Sequence, residues 1–230
     1  MWKRTAAGRT LTFHLAGINN QNFLMRDEET GSYWQQVTGR AISGPMKGAA
    51  LELVGTDEVS FSIFLAENPT GSVLSPLGMY ASRYAKKDWE QNMKRARTVI
   101  SYAGNGIADR ELVFGAQMGN ESRAYIASEV LQKQVVHDEI GDQPIVLVSG
   151  PDGRSVRAFL SKVGDRKVEF FREPKSDWAL IDSETASHWD FRGCAVEGAA
   201  KGKCLESVGL LRDYWFDWRN YHPETTIFRR

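Results

Sequence analysis

One pattern occurs twice in this chain, and it constrains folding more than any other feature. The segment LMRDEETGSYWQQVTGRAISGPMKGAALE, residues 24–52, is echoed by ALIDSETASHWDFRGCAVEGAAKGKCLE, residues 179–206. Asp27, Glu29, Thr30, Ser32 and Trp34 match Asp182, Glu184, Thr185, Ser187 and Trp189 without a gap. After one deletion, Gly39, Ala41, Gly44, Gly48, Leu51 and Glu52 match Gly193, Ala195, Gly198, Gly202, Leu205 and Glu206. The echo continues with Phe61 and Phe64 against Trp215 and Trp218, and with Asn68-Pro69 against His222-Pro223. It also precedes the motif, where GRTLTF at 8–13 parallels DRKVEF at 165–170. Repeated segments of this kind must each form the same supersecondary unit, so self-similarity is read before propensity.

The expected architecture is α+β and mainly β: two repeated β-rich modules with short helices in a pseudo-twofold duplication. The boundaries read as 1–75 for the first module, 76–110 for a connecting segment and 111–230 for the second module with its lead-in. WKRTAAGRTLTF aligns with FLSKVGDRKVEF, the end of that lead-in, so the chain is expected to begin partway through its first repeat. A homo-oligomer covering an exposed sheet edge is the matching expectation.

Locally, TLTFHLAG and FLMRD alternate as strands do. DEETG reads as a turn, because aspartate hydrogen-bonds nearby backbone and glycine accepts positive φ, and SYWQQVTG reads as the returning strand. DEVSFSIFLAENP and LLRDYWFDWRNYHPE carry apolar residues at helical spacing and stop at proline, which suits short amphipathic helices. ELVFGAQMG and PIVLVSGPDGRSVRAFL read as strands around ESRAYIASEVLQK, a helix. YAKKDWEQNMKRARTVI reads as a helix with a solvated basic face, and GNES and GPDG as turns.

The 230 residues carry 29 Lys plus Arg against 29 Asp plus Glu, with 42% hydrophobic and 25% charged residues. A neutral balance argues against a nucleic-acid binder. No apolar run approaches the roughly 18–20 residues of a membrane span. The start MWKRTAAGRTLTF lacks the apolar core of a secretory signal, so a soluble, cytoplasmic protein is expected. Cys194 and Cys204 form no Cys-x-x-Cys pair and no zinc-spaced cluster. Two separate thiols are the first reading, and a disulfide closing a short loop or redox or metal chemistry are the alternatives.

The acidic hairpins are the obvious place for chemistry. Asp27 and Glu29, with Asp182 and Glu184, could offer oxygens to a divalent cation such as calcium, or to zinc, although the spacing is not that of an EF-hand. The bland alternative is a turn cap with tryptophan packed inward. The first segment alone adds His14 and the amide-rich run Asn19, Asn20, Gln21, Asn22, followed by Gln35 and Gln36. His14 with Asp27 or Glu29 could activate water. Asn20, Asn22, Ser32, Trp34 and Gln36 could bind a neutral, oxygen-rich ligand. His188 could act with Asp182 or Glu184 in the same way, whereas His137 and Asp138, adjacent on a strand, face opposite ways. No phosphate loop, no G-x-G-x-x-G and no G-x-S-x-G elbow is present, so no nucleotide cofactor and no serine hydrolase of that type are expected. The functional expectation is a hydrolase of a small neutral ester or lactone, metal-assisted or not. The alternatives are a non-catalytic small-ligand or scaffold module and a degenerate redox protein.

FHLAGINNQNFLMRDEETGSYWQQVTGRAISGP, SRAYIASEVLQKQVVHDEIGDQPIVLV and WFDWRNYHPET together resemble a bacterial family known as domain of unknown function 3179. That resemblance spans nearly the whole chain and implies no established activity. Members are usually longer and doubled, many look exported, and their first half typically carries a Cys-Pro-x-Cys element that suggests redox or metal work. The matching place in the second half here reads VSGPDGRS, Val148 to Ser155, without cysteine.

Overall fold

The computed structural model describes residues 1–19, 22–104, 106–173 and 180–229. The architecture is mainly β, with four four-stranded sheets, two short two-stranded ribbons and a few helices. The first hairpin sheet is an antiparallel meander of Phe13–Asn19, Asn22–Asp27, Tyr33–Gln35 and Ala41–Ser43. The second hairpin sheet runs in the same order through Phe170–Arg172, Leu180–Asp182, His188–Trp189 and Ala195–Glu197.

A lead-in sheet orders Ser207–Val208, Val156–Leu160, Gln143–Ser149 and Val135–Ile140 side by side. Its strand Gln143–Ser149 reads as a continuous apolar run, because it is covered on both faces. Val146 and Val148 enter the core shared with the second hairpin sheet, and Ile145 and Leu147 enter the core on the other side. That alternation follows from the period of two along a strand. The C-terminal sheet joins Leu210–Tyr214, Leu112–Met118 and Glu121–Ile126, with Thr226–Ile227 added in parallel.

Among the described residues four α-helices punctuate these sheets: α1 (Phe61–Glu67), α2 (Trp89–Arg95), α3 (Ala127–Lys133) and α4 (Trp215–Tyr221). α1 is capped by the Ser60 hydroxyl, which accepts from the Ile63 amide, and it sends Ile63 into the core of the second hairpin sheet. α2 lies in the connecting segment and buries nothing.

Three expectations are corrected here. ESRAYIASEVLQK is not one helix: Glu121–Ile126 is a strand and the helix starts at Ala127, because the stretch is long enough to pair with Val113–Met118 before turning. LLRDYWFDWRNY likewise divides into the strand Leu210–Tyr214, paired with Leu112–Ala116, and α4. Short apolar runs carry both periods, and pairing with a neighbour decides between them. The two cysteines are not separate thiols: Cys194 and Cys204 are joined in a disulfide. Spacing could not show this, since the bond depends on two strands meeting across a turn. Arg40 and Ala50 make the same backbone bridge in the first hairpin segment without sulfur.

Candidate functional site

The acidic hairpin is built from the aspartate outward. Asp27 Oδ2 accepts hydrogen bonds from Thr30 Oγ1 at 2.9 Å, the Ser32 amide at 3.1 Å and Trp34 Nε1 at 2.8 Å, while Oδ1 accepts from the Thr30 amide. Asp182 repeats this set with Thr185, Ser187 and Trp189. In both hairpins the serine hydroxyl also accepts a distant amide, from Met46 or Ala200, at 2.9 Å. Gly44 and Gly198 pass so close to those serines that a Cβ would lie 2.7 Å from the serine Cα, and both have φ near +90°. The motif is thus a hydrogen-bonded clamp that lets a buried tryptophan keep its N–H satisfied.

This clamp corrects several candidates. Burial alone would raise the Asp27 pKa, but the hydrogen bonds from Trp34, Thr30 and Ser32 outweigh it and hold the carboxyl below its ordinary value. Asp182 is lowered in the same way. A carboxylate so fully engaged has little basicity left for activating water. Ser32 and Trp34 are completely buried and present no face to a ligand. His14 is exposed and lies opposite Arg26, whereas Asp27 lies opposite Phe13, so His14 and Asp27 project from opposite faces of the sheet. Glu29 accepts the Thr12 amide with both oxygens, and that hydrogen bond keeps its pKa low. Glu184 is exposed beside the engaged Asp182. Among the described residues no group of three His, Cys, Asp or Glu side chains could hold a metal ion. His188 reaches Glu197 at 3.3 Å rather than Asp182 or Glu184, and His137 accepts the Phe170 amide at 3.0 Å.

Gln36 is an exposed residue whose backbone carbonyl accepts Trp2 Nε1 at 2.6 Å. Asn20 lies outside the described residues. Asn22 does reach across the molecule: its Nδ2 donates to Asp217 Oδ2 on α4 at 2.8 Å. The Tyr221 hydroxyl donates to the Asn19 carbonyl at 3.2 Å, so the tip of the first hairpin is tied to α4 twice. Beside this junction, burial pushes Asp213 up to about 7, helped by the charges of Asp217 and Glu58. Burial also raises Asp217.

A cavity of about 780 Å³ opens between the connecting segment, the residues just before α1, α3 and the C-terminal sheet. Val59, Leu112, Phe114 and Leu131 supply apolar wall, Ser60, Ser128 and Ser155 supply hydroxyls, and charged residues of both signs, among them Glu90, Lys94, Arg154 and Arg212, complete the lining. Sequence reasoning missed the network beneath it. Ser155 Oγ donates to Asp152 Oδ2 at 2.7 Å and accepts the Ser60 amide at 2.9 Å. Burial opposes ionisation of Asp152, but hydrogen bonds from Ser60, Ser155 and the Arg154 amide bring its pKa down to about 2. Arg157, on the buried strand Val156–Leu160, donates to Asp57 at 2.6 Å and bidentately to Glu67 at 2.7 and 2.8 Å, and stacks on Phe191. An arginine inside an otherwise apolar strand was the available signal, since a buried guanidinium demands carboxylate partners.

A family model described as protein of unknown function (DUF3179) matches residues 1–225. The chain belongs to that family. No curated protein and no solved structure matches this DUF3179 chain. Among its described residues no helix is long and apolar enough to cross a membrane.

Proposed function

We propose that this DUF3179 chain is a non-catalytic binding module for a small molecule, taken up by the cavity between the connecting segment and the C-terminal sheet. The observation that carries this reading is the cavity itself. Its volume of about 780 Å³ falls within the roughly 300–1,000 Å³ of small-molecule sites, and its wall mixes apolar side chains with hydroxyls and charged groups of both signs. Hydrolysis of an ester or lactone, metal-assisted or not, would need water held between His14 and Asp27 or Glu29. Their opposed or engaged side chains favour binding over that chemistry.

Further parts of the proposal rest on separate observations. The two hairpin segments are read as copies of one module, supported by their shared hydrogen bonds. The Cys194–Cys204 bond favours an oxidising compartment over the cytoplasm, since structural disulfides persist there. The Phe13–Asn19 strand is a sheet edge, and a second copy of the chain is its proposed cover.

The test is a cavity-filling variant read with an environment-sensitive dye, 1-anilinonaphthalene-8-sulfonate. Ser128 is exposed at the cavity wall. Wild-type protein should enhance the dye's fluorescence saturably, and Ser128→Trp should abolish the enhancement without lowering the melting temperature. No enhancement by wild type, or equal enhancement by the variant, rejects the cavity as a binding site.

A further inference from the structure

The connecting segment leaves large apolar side chains in solvent along a run of basic residues. A 3₁₀ turn, Gly78–Arg83, and α2 bury none of their residues. Leu74, Leu77, Met79 and Trp89 are each at least half exposed, Leu74 completely and Met79 to 78%. Tyr80 and Tyr84 are exposed among them. Folding normally takes such groups out of water, so a concentration of them on the outside marks a surface that meets something else.

The segment nonetheless has a defined shape. The Leu77 amide donates to the Tyr84 hydroxyl at 2.8 Å and the Tyr80 amide to the Leu77 carbonyl at 2.9 Å, so the turn closes on itself, and the Arg83 guanidinium lies over the Tyr80 ring. Beyond α2, Arg110 donates to the Ala96 and Arg97 carbonyls and ties the chain back to the body of the protein. Glu90 and Lys94 line the cavity. With about 3.6 residues per turn, Trp89 and Arg95 lie off that face on either side of it. Residues 77–95 hold five cationic side chains, Arg83, Lys86, Lys87, Lys94 and Arg95, against Asp88 and Glu90. All five are exposed, and among the described residues none of them is in an ion pair. The chain as a whole is neutral, so this positive surplus is local.

An occupant of this surface must answer both features at once. A single-stranded nucleic acid would neutralise the cations and stack on Trp89, but it would leave Leu74, Leu77 and Met79 uncovered. An apolar protein groove would cover those side chains at the cost of desolvating unpaired lysines. A lipid surface with anionic headgroups answers both, because charge and hydrocarbon lie a few ångströms apart in it. Tryptophan and tyrosine suit that boundary, since each ring is apolar with one polar edge. We propose that residues 74–95 dock the protein on an anionic lipid surface, lying on it without crossing it. Lys86, Lys87 and Arg95 meet the headgroups, while Leu74, Leu77, Met79 and Trp89 enter the acyl boundary. This contact is independent of what the cavity binds.

Flotation of the whole chain with lipid vesicles tests the docking. Wild-type protein should float with vesicles that contain phosphatidylglycerol, stay free of vesicles of phosphatidylcholine alone, and be released by added salt. Lys86→Glu combined with Lys87→Glu should weaken binding at least ten-fold, because each basic residue near an anionic surface adds its own attraction. Lys201→Glu combined with Lys203→Glu reverses two exposed lysines of the second hairpin segment and should leave binding unchanged. With brominated acyl chains, wild-type tryptophan emission should be quenched, and Trp89→Phe should remove that quenching. Lys86, Lys87 and Trp89 are exposed, so these variants should melt as wild type does. Absence of wild-type flotation, binding undiminished by the Lys86 and Lys87 reversals, quenching that survives Trp89→Phe, or binding of a single-stranded oligonucleotide in place of the vesicles overturns the proposal.

Discussion

Around Asp182 the hairpin sheet lies against the lead-in sheet, and Phe170, Leu180 and Trp189 share a core with Val146, Val148 and Phe159. Around Asp27 the matching face meets a smaller group, Ala6, Leu11, Ala41 and Leu51 with Trp2, Phe13, Met25, Met46 and Ala49. Farther along that face Leu15, Ile18 and Phe23 stand 65%, 71% and 57% exposed. The clamp is nonetheless the same in both places, down to the tryptophan N–H. The difference teaches that the hairpin chemistry closes within its own few residues, while the size of the core each hairpin joins is set by whatever packs on top.

The largest effect that could break this comparison is removal of the clamp aspartate. Asp182→Ala strands the buried donors of Ser187 and Trp189, at roughly 1–3 kcal/mol for each group left unpaired, and should cost on the order of 4 kcal/mol. Asp27→Ala should cost less, because the smaller core around it is freer to relax about the gap. Urea denaturation of the two variants decides the matter: equal losses would mean that the covering sheet adds nothing to the clamp.

Next comes the disulfide, which only the second segment has. Reducing it, or replacing both cysteines by alanine, should lower stability by about 2–3 kcal/mol, as expected for a short closed loop. The fold should survive, because Arg40 and Ala50 make the equivalent bridge unaided. Loss of the circular dichroism signal on reduction would show that the bridge depends on sulfur.

Gly44→Ala and Gly198→Ala should each cost roughly 2 kcal/mol, since an L-residue at such a φ is strained by about 1–2 kcal/mol and the new Cβ crowds the serine. Similar thermal shifts for the pair would sharpen the view that the clamp is locally autonomous, and a large inequality would count against it. The smallest effect belongs to His14→Ala. An exposed side chain with no role in the clamp should change stability by less than about 0.5 kcal/mol, and a larger loss would reveal a contact that the sheet geometry does not account for.

Much of the strand order near the hairpins was legible, because alternation and turn chemistry act between close neighbours. The roles of Arg157 and Asp217 were not. Arg157 meets Asp57 and Glu67 across separations of 100 and 90 residues, and Asn22 meets Asp217 across 195. Contacts of that range leave no spacing to read. Asn22 was singled out from its amide-rich neighbourhood, but its partner could be named only once α4 had been packed.

What the sequence by itself determined is the clamp: aspartate, threonine, serine and tryptophan within eight positions reach one another through a single turn, so the same letters produce the same hydrogen bonds twice. Tertiary structure alone decided which clamp lies against a second sheet, that Cys194 meets Cys204, and that burial pushes Asp213 up to about 7. Those properties depend on desolvation and on charges brought together from distant parts of the chain, and neither is a property of a local string of residues.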